Sequence, residues 1–375
     1  MVAFLIRLKQ RLQFTGWLQY IPLLVWAGLF GLLGLLCWFL SLSTVMSVFL
    51  SLSGLFVALF VFDVVTLKWG IRPKESLPPR RDDLNAFDLM RARRSCRSFQ
   101  DRLLTDKDRE ELLGYVKEYS EAPYGGALGK APIRFAYVEA PLTVWPVVGA
   151  REFLVAIAPK EYNRLSVVDV GRALQHIVHK ATKMGLGTCW IGPGADHKSA
   201  IAALGERFDA EQDHIICFCA IGYASFLMPF FIRTIVGIVQ RRRKPLSDLF
   251  FLGETLKQPL DTTSAPFDQL GRTYEVCQWA PSSFNAQPTR CAAIMDEAGE
   301  TIVRFDFFAT TASRYYAPVA LGIWCTQWEL GCEALGIQGH FEILSSEERG
   351  GAAQVVSVQE RQAHYDISWL PNTPL

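Results

Sequence analysis

The sequence predicts a two-span membrane hairpin followed by a soluble unit of mixed helices and strands, itself built from two related halves. Three observations carry this. Residues 21–62 hold no charged side chain. Beyond them, helical and strand periodicities alternate. Segments of the first half also recur, weakly but in the same order, near one offset in the second.

The uncharged run is about twice the ~20 residues that one bilayer crossing needs, so two spans fit, near residues 20–40 and 45–67, with the turn at residues 41–44. Arg7, Lys9 and Arg11 precede the pair, Lys68, Arg72, Lys74, Arg80 and Arg81 follow it, and the turn carries none. By the positive-inside rule both ends, and the soluble unit, face the cytoplasm. A buried helical hairpin of a soluble protein is the alternative. The resulting division is an anchor over residues 1–72, a polar, proline-bearing linker over 73–84, a first half over 85–250 and a second over 251–375.

With Lys plus Arg at 38 and Asp plus Glu at 37, the formal charge is +1, and nothing global points to nucleic acid. The nine cysteines include no CxxC pair, as expected of reduced thiols. His176 and His179 lie three apart on one predicted helix, but no third ligand is in view, so no metal is expected.

In the soluble unit, Thr105 and Asp108 open a helix reaching residue 119, with Leu112, Leu113 and Val116 at helical spacing. Residues 133–139 and 152–158 read as strands. A helix over residues 166–184 follows, ended by Gly185. Residues 185–193 read as a glycine-rich connection suited to close approach of a flat ligand. Residues 214–221 read as a central strand covered on both faces. Residues 226–239 are too short to span a bilayer; a surface-dipping amphipathic segment and a buried core segment are both open.

A shift of 151 superposes Val168 on Val319 and Gly171 on Gly322; shifts of 156 to 158 put Ala122 and Pro123 on Ala280 and Pro281. The two copies differ in a complementary way. Only the first carries the basic run Arg93-Arg94-Ser95-Cys96-Arg97-Ser98-Phe99; only the second carries the polar turn from Ala280 to Pro288. Three guanidiniums and two hydroxyls in seven residues suit a phosphate. A juxtamembrane run against anionic lipid is equally open on that stretch alone. Trp279, Trp324, Trp328, Tyr315 and Tyr316 read as core aromatics rather than a substrate wall, and Cys189 as a packing thiol.

Taken in order, RRSCRSF, GLGTCWIG, AIGYA, RRRKPL and APSSFNAQP resemble the flavin-dependent nitroreductase superfamily, in particular its single-chain pseudodimer subgroup, over about residues 85–345. The resemblance implies an α+β fold, a central antiparallel sheet flanked by helices, with FMN as cofactor and NAD(P)H as electron donor. It implies that Arg93, Arg94, Ser95 and Arg97, joined by Arg243 or a neighbour, hold the FMN phosphate and ribityl chain. Pro281, Ser282, Ser283 and Asn285 would come from the second half to the same site, giving one composite site per chain. Trp190, Ile191 and Gly192 would lie beside the flavin, where Pro193 lacks the N–H that the family presents near N5. The implied chemistry is ping-pong hydride transfer to a nitroaromatic, a quinone or a similar acceptor, with no side chain assigned as catalytic acid or base. Membrane lipid is an expected partner, and the hairpin is a possible self-association surface. A flavin-binding or flavin-free membrane scaffold and a lipid-surface protein without flavin stand as the other readings.

Overall fold

The computed structural model describes residues 12, 15–121, 126–129, 131–192, 194–239, 242–350, 355–358 and 361–375. Helices α1 (Ile21–Phe39) and α2 (Ser43–Asp63) are apolar on every face and long enough to cross a membrane. They pack on one another: Ser53 Oγ donates to the Ala27 carbonyl at 2.8 Å, and Phe30 stacks on Phe56 at 5.6 Å. The connecting turn is tighter than the sequence suggested, because Ser41 takes a left-handed φ of 58° and the second helix restarts at Ser43.

The last residue of the expected anchor and the stretch expected as a linker are both pinned to the soluble unit. Arg72 donates to the Phe99 carbonyl at 3.0 Å and to Ser225 Oγ at 3.1 Å, and the Arg81 N–H reaches the Lys183 carbonyl at 2.8 Å. Its prolines forbid helix, so its backbone groups bond outward to neighbouring elements. A short helix α3 (Ala86–Ala92) follows, with the Asn85 side chain accepting from the Asp88 N–H at 2.9 Å.

Helix α4 (Asp106–Glu121) starts at the predicted cap, where Thr105 Oγ1 accepts from the Asp108 N–H at 3.2 Å, and it buries Leu112, Val116 and Tyr119. Strands β1 (Arg134–Glu139) and β2 (Glu152–Pro159) lead into α5 (Arg164–Lys183), which ends at Gly185 with φ 82°. Residues 187–191 are not loop but strand β3 (Gly187–Ile191), paired with β4 (Asp213–Gly222). The small helix α6 (His197–Leu204) joins them. These strands form an antiparallel sheet in the order β1-β2-β4-β3.

After helix α7 (Phe230–Val239) the chain enters a second sheet through β5 (Phe250–Leu252) and β6 (Gln258–Pro259). Helix α8 (Arg272–Gln278), strands β7 (Thr289–Met295) and β8 (Ile302–Ala309), helix α9 (Tyr316–Ala334) and strand β9 (Gly339–Glu342) come next. Strands β10 (Val355–Val358) and β11 (Arg361–Pro371) finish the chain. Within this sheet the antiparallel path β7-β8-β11-β9 repeats the order β1-β2-β4-β3. The last strand, outside the stretch that carries the resemblance, therefore lies inside the sheet.

Helices α5 and α9 meet back to back between the sheets. A Cβ on Gly171 would lie 2.3 Å from the Val319 carbonyl oxygen, and one on Gly322 would lie 2.0 Å from the Val168 carbonyl oxygen. Each glycine thus faces the residue that the 151-residue offset equates with its own neighbour. We expect Gly171→Val and Gly322→Val each to cost ~3 kcal/mol or more in chemical denaturation, since backbone must move to admit the side chain. Gly114→Ala on α4, with no heavy atom within 4 Å of the new methyl, should instead raise stability by ~0.5–1 kcal/mol.

Candidate functional site

The basic run between α3 and α4 folds as extended chain laid beside β3. Ser95 forms a parallel bridge with Thr188 and Ser98 one with Val148, and the Cys96 N–H donates to the Thr188 carbonyl at 2.8 Å. Extended chain sends alternate side chains to opposite sides. Ser95 and Arg97 therefore face an open cavity, while Ser98 is buried and Cys96 abuts Gly187, where a Cβ would come within 2.7 Å of the Cys96 sulfur.

Arg93, at the C-cap of α3, is 6% exposed. Its Nε and Nη1, together with the Nε atoms of Arg97 and Arg243, are buried without hydrogen-bond partners among the described residues. Burial, with the neighbouring charges of Arg243 and Arg94, lowers the Arg93 guanidinium to about 10. Burial lowers Arg243 to about 10 as well, helped by Arg94 and Arg91. Around them, Arg91, Arg94 and Arg243 stand 3.8, 5.5 and 5.0 Å from the centre of the Trp279 ring. Such crowding of like charge is costly unless an anion offsets it.

The opposite wall comes from the second half. Ser283–Asn285 form a single 3-10 turn, and Phe284, Asn285 and Gln287 hold left-handed φ values of 52°, 54° and 48°. Three such residues in one short loop concentrate backbone strain, which persists only where surrounding bonds fix it. Here Asn285 Nδ2 donates to the Arg242 carbonyl at 2.7 Å, Gln287 Oε1 accepts from the Lys244 N–H at 2.9 Å, and Ser282 Oγ accepts from the Gln287 N–H at 2.9 Å. Arg243 in turn donates to the Ala280 carbonyl at 3.1 Å.

Between these walls lies a cavity of about 450 Å³, within the usual range for small-molecule sites. Ser95, Arg97, Trp190, Ile191 and Gly192 from the first half and Pro281, Ser282 and Ser283 from the second all line it. Trp190 Nε1 is buried without a partner among the described residues. The floor is α9, through Tyr316, Val319, Ala320 and Ile323, and α7 covers one side with Phe231, Ile232, Ile235 and Val236. No carboxylate, lysine or histidine lines it among the described residues.

Four of the expected site residues are off the wall. Arg93 and Arg243 carry buried guanidinium atoms but do not line it. Arg94 turns back to the Arg91 and Arg93 carbonyls, and Asn285 clamps the 242–244 segment, because its amide is engaged by backbone. Pro193 lies outside the described residues, as does Arg241. The sequence gives no sign of Trp145 and Pro146 beyond their being apolar, Phe284 lies within the APSSFNAQP turn without being expected on the wall, and Tyr316, expected in the core, lines the cavity. Trp324 and Trp328 are core, and Cys189 is buried. The apolar segment 226–239 was noticed; its helical face resolves it as cavity wall on one side.

His176 stacks on Tyr119 at 5.0 Å, and His179 Nε2 lies 2.9 Å from both Gln175 Nε2 and Gln327 Oε1. Burial, then the Arg93 charge, pulls His179 down to about 3, against the Gln327 hydrogen bond. A histidine lowered on folding contributes stability that is present above about 6.5 and lost as pH falls toward 3, since only the unfolded chain takes up the proton. Wild type should therefore lose on the order of 3 kcal/mol more than His179→Gln between pH 7 and pH 4 in urea unfolding.

A family model described as "Putative TM nitroreductase" matches residues 85–332. No curated protein matches the chain. Among solved structures, the chain is similar to a Thermotoga maritima protein described as a "putative nitroreductase", at 16% identity and TM-score 0.44, over 80% of this chain and 100% of that one. It is also similar to a Bacteroides fragilis nitroreductase with bound FMN, at 15% identity and TM-score 0.29, over 38% of this chain and 89% of that one. A Desulfovibrio desulfuricans protein described as a "putative nitroreductase" in complex with FMN matches at 18% identity and TM-score 0.29, over 43% and 99% of the two chains. With well over half its length matched by that family model, the chain belongs to the nitroreductase family.

Proposed function

We propose that this protein is a membrane-anchored, FMN-dependent NAD(P)H oxidoreductase of nitroreductase type. The observation that carries the reading is the set of buried guanidinium atoms on Arg93, Arg97 and Arg243 without hydrogen-bond partners among the described residues, of which Arg97 lines an apolar slot. A phosphate joined to a flat ring system satisfies both at once. FMN, when bound, supplies hydride-accepting and hydride-donating chemistry.

The chain's own groups would do the rest. Arg93, Arg97 and Arg243 hold the phosphate, and the hydroxyls of Ser95, Ser282 and Ser283 offer hydrogen bonds to the ribityl chain and ring edge. Trp190, Ile191, Tyr316 and Ile323 sandwich and desolvate the flat ring, while α7 shuts out water. Fixed guanidiniums favour whatever negative charge develops near them. The repeated strand order and the two-sided wall support reading the chain as a fused pseudodimer with one composite site. The α1–α2 hairpin would anchor it with both ends cytoplasmic, and its electron acceptor is a nitroaromatic, quinone or related compound.

Detergent-purified wild type should show flavin absorbance near roughly 370 and 450 nm, bleached by NADH or NADPH in the absence of oxygen. Arg97→Met and Arg93→Met should each weaken FMN binding ten- to a hundred-fold, since a charge-assisted hydrogen bond contributes about 1.5–3 kcal/mol. Flavin that is bound but not bleached would favour the scaffold reading. Wild type that takes up no FMN would refute the proposal.

A further inference from the structure

The hairpin and the cavity are joined by one element, α7. The Phe230 N–H, in the first turn of α7, donates to Asp63 Oδ2 at 2.8 Å, so α7 begins where α2 ends. Just before it, Glu75 accepts from Ser225 Oγ and from the Phe226 N–H, each at 2.8 Å, and Arg72 reaches Ser225. The segment entering α7 is thus clamped to the chain leaving the second span.

Around that junction lies a belt of exposed apolar side chains: Trp69, Ile71, Phe226 at 67% exposure, and Ile238 at 57%. Trp17 sits there too, 5.4 Å from the Lys68 ammonium. An indole paired with a lysine at the end of an apolar helix is the signature of a membrane–water boundary. A helix of 10 residues is too short to cross a bilayer and can only lie along its surface.

One stripe of α7 is cavity wall, and Ile238, three residues beyond Ile235 on that stripe, continues it outside the cavity. Phe231, Ile232, Ile235 and Val236 line the cavity, and Ile235 is still 39% exposed, so it stands at the rim. We infer that α7 lies in the headgroup boundary of the membrane that α1 and α2 cross, and that the cavity opens past Ile235 to the bilayer, taking a planar quinone with a hydrocarbon tail. This rests on the oxidoreductase reading for its chemistry and on the α7 geometry for its route. The wall is mostly carbon and offers no counter-charge besides Arg97, which suits a neutral ring. A tail leaving past Ile235 stays in lipid and removes no apolar surface from it. Reduction of the quinone to the quinol takes two electrons and two protons, supplied by one NAD(P)H and one proton from water.

The test uses the full-length protein in lipid nanodiscs. Ile238→Cys labelled with bimane, corrected for labelling of wild type, should be quenched by nitroxides on lipid chains and not by aqueous iodide. Iodide quenching without lipid quenching overturns the placement. In parallel, an azidoquinone with an isoprenoid tail should photolabel residues 231–236 in wild type and at least ten-fold less in Phe226→Glu/Ile238→Glu, whereas its tail-less analogue labels both equally. Labelling indifferent to tail and variant overturns the route. Flavin absorbance of the same samples separates the two claims. Flavin-free protein with lipid-quenched, tail-dependent behaviour supports this route and removes the oxidoreductase reading; flavin-loaded protein with a water-exposed α7 does the reverse.

Discussion

The backbone contact between Gly171 on α5 and Gly322 on α9 is the constraint on which the soluble unit depends. Each glycine admits the other helix's valine carbonyl at a distance no side chain would permit. The contact is reciprocal, Gly171 to Val319 and Gly322 to Val168, as in an isologous interface where one patch meets its own copy. Thr326 Oγ1 then donates to the Arg172 carbonyl at 3.0 Å just beyond the crossing. Each helix covers its own sheet on the outer side, so the crossing fixes the distance between two four-strand units of the same order.

That distance sets the site. Tyr316, Val319, Ala320 and Ile323 of α9 form the cavity floor, while Trp190 and Ile191 are carried on β3, the strand that follows α5. A wider crossing would part the Ser282 and Ser283 wall from Ser95 and Arg97. The arginines are supplied from the other direction: extended backbone beside β3 sorts Ser95 and Arg97 into the cavity, and the Asn285 and Gln287 amides pin the chain that brings Arg243. Rigidity here has a clear use, since unpaired buried guanidiniums would otherwise move toward water.

How much of this could be read from sequence follows from which physical signal was local. The pair of long apolar helices was legible because absence of charge over forty-two residues needs no tertiary context. The cap at Thr105, the stop at Gly185 and the strands at 134–139 and 213–222 were legible for the same reason. The 151-residue offset was faint, yet one of its matches, Gly171 with Gly322, turns out to touch, and each of these glycines meets the other helix's member of the matched pair Val168 and Val319. Strand β3 was hidden by glycines that depress strand propensity; Gly187 is required because Cys96 packs over it. Asn285 looked like a ligand donor, and nothing local reveals that its partner is the Arg242 carbonyl. For α7, sequence could show an apolar segment but not that part of it lines a cavity while Ile238 stays exposed.

On the function proposed above, each chain builds a single flavin pocket from both of its halves. Flavin released by acid from a saturated, gel-filtered sample, quantified against polypeptide by amino-acid analysis, measures it most directly. One FMN per chain is the expected result. Two per chain would mean that the halves act as an ordinary pair of sites, and none would mean that the arginine cluster serves some other anion.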